Sequence, residues 1–238
     1  MSTVNLESMD FYLTAEHDCS YLPQQQAITL FADPSICITT DMYNELIQLG
    51  FRRSGTHVYR PRCRMCDACI PIRIPVTKFM PSRGQRRVWK RNQDLSILTV
   101  PAEYKDEHFQ LYRRYMHTRH AGGGMDNPDP EKYSEFLLNP YIDAHMYEFR
   151  HQDRLLAVAS VDKLDNALSA VYTFFDPDES ARSLGNMAIL WQIKQAKRLD
   201  LEYIYLGYWI KECQKMVYKN KYRPFEVFRD GGWQTHEA

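Results

Sequence analysis

Two rhythms of apolar and polar residues run along this chain, and they meet most clearly between Leu168 and Ile210. Leu168 to Phe175 (LSAVYTFF) is dense in β-branched and aromatic residues and predicts a strand. Asp176-Pro177-Asp178 ends it, because proline leaves the ladder and aspartate favours turns. The spacing then changes: Leu184, Met187, Ala188 and Trp191 fall three and four apart, the buried face of a helix. Leu201 to Trp209 returns to strand-like alternation with four aromatics. Strand, helix, strand over about forty residues predicts a right-handed crossover between parallel strands. Ligands in such sheets bind beyond the C-terminal strand ends, which points to Asp176 and to the Gly207-Tyr208-Trp209 step as the active-site edge.

The same reading extends outwards. His145–Arg150 and Leu155–Val161 predict two more strands, with hairpin loops at His151-Gln152-Asp153 and Lys163–Asn166. A helix is expected over Glu212–Lys221 and a last strand over Phe225–Arg229, closed by Gly231-Gly232. Upstream, Ala27–Phe31 and Ile36–Thr39 read as short strands around Asp33-Pro34. Asp41 is placed to cap a helix that runs to Leu49 and stops at Gly50. Phe79–Leu95, entered at Pro81-Ser82, and Ala102–His120 predict helices, with a shorter one at Tyr133–Leu138. The order β-β-β-α-β is that of the GNAT acyltransferase fold. We therefore expect an α+β chain, a mixed sheet flanked by helices, with a small Cys-containing N-terminal region over 1–75 and the acyltransferase unit over 76–238.

Charge alters this picture more than composition does. The 238 residues carry no net charge, and their 44% hydrophobic and 25% charged shares are ordinary for a globular chain. The balance hides a strong asymmetry. Residues 1–51 hold seven acids and no Lys or Arg, whereas residues 52–119 hold sixteen Lys and Arg against five acids. A basic block in an otherwise acidic chain suits a polyanion. Within it Arg83, Arg87 and Arg91 lie four apart on one helical face, with Arg86 and Lys90 beside them. Like charges at that spacing repel unless an anion neutralises them, and guanidinium forks match phosphates. These five are the expected nucleic-acid contacts. No apolar run reaches bilayer length, and Met1–Leu13 lacks the basic start and apolar core of a signal peptide, so the cytoplasm is expected.

Six cysteines are too few for a disulfide scaffold at this length. Cys63, Cys66 and Cys69 stand at C-x2-C-x2-C, a spacing that lets thiolates converge on zinc or an Fe–S cluster, or that builds a tight reduced turn. The arginines around them would favour thiolate. Cys19 is the best fourth ligand, with His17 or His57 next. Farther along, Arg119 and His120 precede three glycines (Gly122–Gly124) that either cap a helix or bring amides towards a ligand.

At the start of the predicted crossover helix, Arg182-Ser183-Leu184-Gly185-Asn186-Met187 keeps one Arg and one Gly of the loop that holds a CoA pyrophosphate in the GNAT fold, and lacks its second Gly. An acyltransferase fold with a nucleic-acid surface suggests an aminoacyl-tRNA as donor. The chain indeed resembles the bacterial aspartate/glutamate leucyltransferases, relatives of the arginyl-tRNA–protein transferases. The resemblance rests on CSYLP (19–23), YRPRCRMCDACIPIRIPV (59–76), PSRGQRRVWKRNQDL (81–95), YMHTRHAGGGM (115–125), LSAVYTFFDPD (168–178), RSLGNMAILWQIKQAKRLDLEYIYLGYWI (182–210) and KMVYKNKYRP (215–224). It implies transfer of leucine from leucyl-tRNA to proteins that begin with Asp or Glu, marking them for degradation. The eukaryotic relatives carry Cys-x-x-Cys near the N-terminus; here the second position is Leu22, and only Cys19 carries over.

An aminoacyl ester is already activated, so no cofactor is required for the chemistry. Asp176 is the expected acceptor of the amine proton, with Tyr172 or Tyr208 donating or relaying one. A carboxylate side chain on the acceptor calls for a cation; Arg119 and Arg223, helped by His120 and Lys219, are the candidates. Two rivals share these features: arginyl rather than leucyl transfer, and a CoA-dependent N-acetyltransferase.

Overall fold

A computed structural model describes residues 9–119 and 128–237. In chain order it contains β1 (Phe11–Leu13), β2 (His17–Asp18), β3 (Gln26–Ala27), β4 (Thr29–Ala32), α1 (Thr40–Gln48), β5 (Arg52–Ser54), β6 (His57–Pro61) and β7 (Ile70–Pro75). Then follow α2 (Arg83–Arg91), β8 (Ser96–Pro101), α3 (Asp106–Arg119), α4 (Pro130–Leu137), β9 (Ala144–His151), β10 (Arg154–Lys163) and β11 (Ala167–Phe175). The chain ends with α5 (Leu184–Arg198), β12 (Tyr203–Trp209), β13 (Phe225–Arg229) and β14 (Gly232–His236).

Eight strands form one mixed sheet in the order β14-β13-β7-β12-β11-β10-β9-β8, and β1-β4-β6-β5 form a second, smaller sheet. The predicted β-β-β-α-β run is present as β9, β10, β11, α5 and β12. Leu184, Met187, Ala188 and Ile193 of α5 pack on Leu168, Ile204 and Leu206, so the helical stripe read from the sequence covers one face of the large sheet. Val88 and Trp89 of α2 join that layer. On the opposite face, Phe109, Tyr112 and Met116 of α3 and Tyr133 and Leu137 of α4 cover Met146, Val158 and Phe174. Beside them α1, through Tyr43, Leu46 and Ile47, packs with Val58, Ala167 and Tyr205.

Local chemistry sets the helix starts. Ser82 and Gln85 form a reciprocal capping box at α2. Asp129 caps α4 with Pro130 in its first turn. Thr39, not Asp41, caps α1; Asp41 lies in the first turn, where a negative charge still suits the dipole.

Several expectations change. Ile36–Thr39 is the approach to α1 and not a strand, and Glu212–Lys221 is turns followed by a short 3-10 segment over Val217–Lys221. β7 went unread because it carries prolines at both ends, normally a mark against an interior strand. Its ladder with β13 uses only Ile72 and Arg73, so Pro71 and Pro75 fall where no second partner needs an N–H. The division expected after residue 75 falls at the end of this interior strand.

The feature that positions the site is where pairing stops. β11 and β12 are parallel only from Ala167–Tyr203 to Ser169–Tyr205. Beyond that, β11 stays with β10 through a bulge at Ser160/Val161, and β12 stays with β7 through a register shift between Tyr205 and Tyr208. Two neighbouring strands thus part in the middle of the sheet.

Candidate active site

The parting of β11 and β12 frees backbone groups that a continuous ladder would have used. One of them, the Val171 carbonyl, accepts a hydrogen bond from Arg52 Nη2 at 3.0 Å. Arg52 reaches it from β5 of the smaller sheet. Across the gap is Gly207, at φ +73°, where a Cβ would stand 2.6 Å from Arg52 Nη1. The left-handed backbone favours glycine there, and a larger residue would have to displace the guanidinium. The Arg52 guanidinium also lies 5.9 Å from the centre of the Tyr208 ring. Tyr43, Ser169, Tyr208 and Trp233 line the same hollow.

A second group gathers at the far end of β11. Arg119, at the end of α3, stands 6.0 Å from the Phe175 ring centre. Tyr115 packs edge-on to Phe175 at 4.9 Å and to Tyr172 at 6.4 Å. Tyr218 joins the two groups. Burial raises its pKa, while Arg52 and Arg119 both pull it back down. Tyr218 is thus within electrostatic reach of Arg52 at one end of the opened strands and of Arg119 and Tyr115 at the other.

The residues expected from sequence take different places. Tyr172 packs against Tyr115; its hydroxyl donates to Met116 Sδ at 3.6 Å, and burial raises its pKa. Tyr208 is buried with its hydroxyl 3.1 Å from the Gly50 carbonyl and 3.2 Å from the Tyr59 carbonyl. Burial holds its pKa well above the ordinary value. A phenol so committed to backbone is a poor proton relay. Asp176 is fully buried and accepts from Arg114, Arg154 and the Asp178 amide. Burial opposes its charge, yet Arg154, the Asp178 amide and Arg114 outweigh that and hold its pKa below the usual value. A carboxylate gripped by two guanidinium groups is a weak base, so the geometry gives Asp176 an organising part at the end of β11.

Lys219 is buried and donates to the Tyr208 carbonyl at 2.7 Å. Burial, then Arg52, drives its pKa well below the ordinary lysine value. Arg223 is exposed, donates to the Glu237 carbonyl at 2.9 Å and lies 5.5 Å from the Phe225 ring. Those contacts hold it at the β13–β14 hairpin. His120 and the three glycines lie outside the described residues.

Arg83, Arg86, Arg87, Lys90 and Arg91 are all exposed on α2, and among the described residues none has a carboxylate within ion-pair distance. The helix is fixed from below: Trp89 stacks on Trp191 of α5 at 6.3 Å. Asn92, just past its end, donates to the Arg182 carbonyl at 2.8 Å, and Arg91 donates to the Ala181 carbonyl. Both acceptors lie in the segment that leads from β11 into α5. The basic face is thus anchored next to the end of the opened strands. Arg182 itself is taken up by Asp94 and Glu179.

The cysteines do not assemble as a closed site. Among the described residues no three His, Cys, Asp or Glu side chains are grouped to hold an ion. Cys63 Sγ donates to the Ile28 carbonyl at 3.8 Å, and Cys19 Sγ accepts from the Leu22 amide at 3.4 Å. His57 lies against the Phe31 ring at 6.0 Å, and His17 Nδ1 sits 3.2 Å from the Ala15 carbonyl. The expectation that arginines favour thiolate fails at Cys69, whose pKa is pushed up to about 12 by burial and then by Cys19, Cys63, Cys66 and Cys213. The nearby arginines are directed elsewhere: Arg60 donates to the Leu49 carbonyl and Arg64 is exposed beside Glu16.

Sequence reasoning missed Arg52, Tyr218, Tyr115 and Cys213. Arg52-Arg53 opens the basic block, so the two read as surface charge. Arg53 is in fact fully buried in a two-point pair with Asp162, at 2.8 and 2.5 Å. A pair of arginines in alternation beside Phe51 and Val58 was the available signal.

Comparison with known proteins identifies the family. The chain matches "Arginine-tRNA-protein transferase, N terminus" over residues 17–87 and "Arginine-tRNA-protein transferase, C terminus" over residues 107–229. It is 53% identical over 230 residues to an aspartate/glutamate leucyltransferase of Pseudomonas putida F1, covering 97% of this chain and 98% of that protein. It is 51% identical to the one of Thiobacillus denitrificans, covering 98% and 97%. Among solved structures, the crystal structure of FemX aligns with 98% of this chain and 89% of that one at 8% identity, with a TM-score of 0.51, a likeness of fold alone. With one family matched across both halves and relatives identical at half of all positions, the chain belongs to the arginine-tRNA-protein transferase family, among its aspartate/glutamate leucyltransferases.

Proposed function

We propose that this chain transfers leucine from leucyl-tRNA to the N-terminal amino group of proteins that begin with Asp or Glu, at the opening between β11 and β12. The observation that carries the reading is the anchoring of α2. Five exposed cations without acidic partners stand beside the segment that leaves β11, so an RNA held there brings its charged end to the opened strands. We read the fold as GNAT-like, with the splayed parallel pair as its acyl-transfer cleft. Residues 1–75 act with the rest as one unit, since β7 completes the large sheet. The engagement of Arg182 by Asp94 and Glu179 argues against a CoA phosphate at the start of α5.

The reaction asks for placement above all. The free α-amine, whose pKa lies near 7.7–8.0, attacks the ester carbonyl of leucyl-tRNA. The new C–N bond forms, the ester C–O bond breaks, and the ribose hydroxyl leaves with a proton equivalent to the one the amine gives up. Holding amine and ester together supplies roughly 7–11 kcal/mol in an ideal geometry. Tyr172, on exchanging its weak bond to Met116 Sδ, donates to the developing oxyanion, and Arg119 holds negative charge beside it. The ester is an activated acyl group, so the transfer draws on no cofactor. The cysteines around Cys69 serve the packing of the N-terminal region. The setting is the cytoplasm, where charged tRNA is made, and the added leucine marks the acceptor for degradation. Incubation with tRNA bearing labelled leucine and a peptide with N-terminal Asp should label the peptide; label that stays on the tRNA would refute the reading.

A further inference from the structure

Arg52 and Arg53 are adjacent on β5, Arg53 buried and Arg52 half-buried, and show a guanidinium with and without a carboxylate partner. Arg53 has Asp162 on two of its nitrogens. Arg52 has the Val171 carbonyl on one nitrogen, and among the described residues no carboxylate within ion-pair distance. Its neighbours are phenols: Tyr59, Tyr21, Tyr208 and Tyr43 all act on it. Burial raises the pKa of Tyr21 to about 12 and holds that of Tyr208 well above its ordinary value, so these phenols are neutral at cellular pH. Lys219, the other buried amine nearby, donates to a carbonyl and adds no negative charge. A half-buried guanidinium with one protein acceptor keeps N–H groups open to an anion. An anion that approaches the guanidinium at the opening between β11 and β12 would meet its remaining N–H groups.

We infer that Arg52 reads the side-chain carboxylate of the acceptor's first residue. The inference rests on the transfer reaction proposed above and adds the group that sets its acceptor specificity. A carboxylate is favoured over an RNA phosphate by the enclosure. Arg52 is half-buried between two strands beside Gly207 and Tyr208, while the cations suited to a phosphodiester are exposed on α2. Asn or Gln at the acceptor's first position would bring an N–H towards the guanidinium and no charge.

The test compares peptides that begin with Asp and with Asn, using wild type, Arg52→Lys and Arg52→Gln, with leucyl-tRNA as donor. Wild type is expected to prefer the Asp peptide. In Arg52→Gln, kcat/KM for that peptide should fall roughly 10- to 100-fold, the Asp-over-Asn ratio should collapse towards one, and KM for leucyl-tRNA should stay as in wild type. Arg52→Lys should recover part of the ratio. An unchanged Asp-over-Asn ratio overturns the assignment, as does a raised KM for leucyl-tRNA with the ratio intact, which would make Arg52 a phosphate contact. Should the variants not fold, wild type alone decides. Thermal protection by the Asp peptide must exceed that by the Asn peptide and disappear as pH falls below the aspartate range, and equal protection by both overturns it. A wild type that moves no leucine to either peptide would instead strike the reaction itself.

Discussion

At single positions, the site shows how burial and partners decide what a side chain can do. Asp176 sits where a base was expected, yet Arg114 and Arg154 hold it as an anion that fixes the end of β11. Asp176→Asn should cost about 1–3 kcal/mol in denaturant unfolding, because both arginines are half-exposed and recover some hydration. The pH profile of kcat/KM should keep its shape in that variant; a lost acid limb would restore Asp176 as the base. A second buried carboxylate, Glu148, gives the fold its acid sensitivity. Burial opposes its charge, but hydrogen bonds from Lys105, Arg150 and His108 prevail and bring its pKa from 4.5 to about 2. His108 is depressed below 6.5, chiefly by burial. Both groups bind fewer protons folded than unfolded, so both contribute stability that is present above their unfolded values and is lost on acidification. Urea unfolding should therefore weaken below about pH 6.5 and again below about 4.5. In Glu148→Gln the lower part of that slope should flatten, and an unaltered slope would clear Glu148.

Among the elements, α2 has the clearest division of labour. Trp89 and Val88 hold it to the core, the capping box starts it, and its arginines are left to the solvent. Replacing Arg83, Arg87 and Arg91 together by Ala should weaken tRNA binding at low salt. It should also reduce the slope of log K against log salt by about 2–3, one contact per arginine. Equal slopes would remove α2 from the interface. This helix was legible in the chain because its signals are local: a cap, a charge period and an apolar pair. The β9-β10-β11-α5-β12 run was legible for the same reason. β7 was not, since its prolines are tolerated only through the partial ladder with β13. Nor was Arg52, whose meaning depends on Val171, 119 residues away. Local order could be read; the juxtaposition of β5 with the opening between β11 and β12 could not.

The whole molecule brings three distant parts of the sequence to one opening. The N-terminal sheet supplies Arg52, the end of α3 supplies Arg119, and the crossover supplies the parted strands with Tyr172. α5 covers the other face and carries α2 beside the entrance. No helix among the described residues is long and apolar enough to cross a membrane. On the proposed reading, this arrangement lets one chain hold a large charged RNA on its outside and a small acidic N-terminus at the opening. The most direct measurement puts leucyl-tRNA and arginyl-tRNA, differently labelled and equal in amount, in one reaction with a peptide that begins with Asp. The account predicts leucine on the peptide's α-amino group, with arginine at background. Arginine on the peptide, or neither amino acid there, would contradict it.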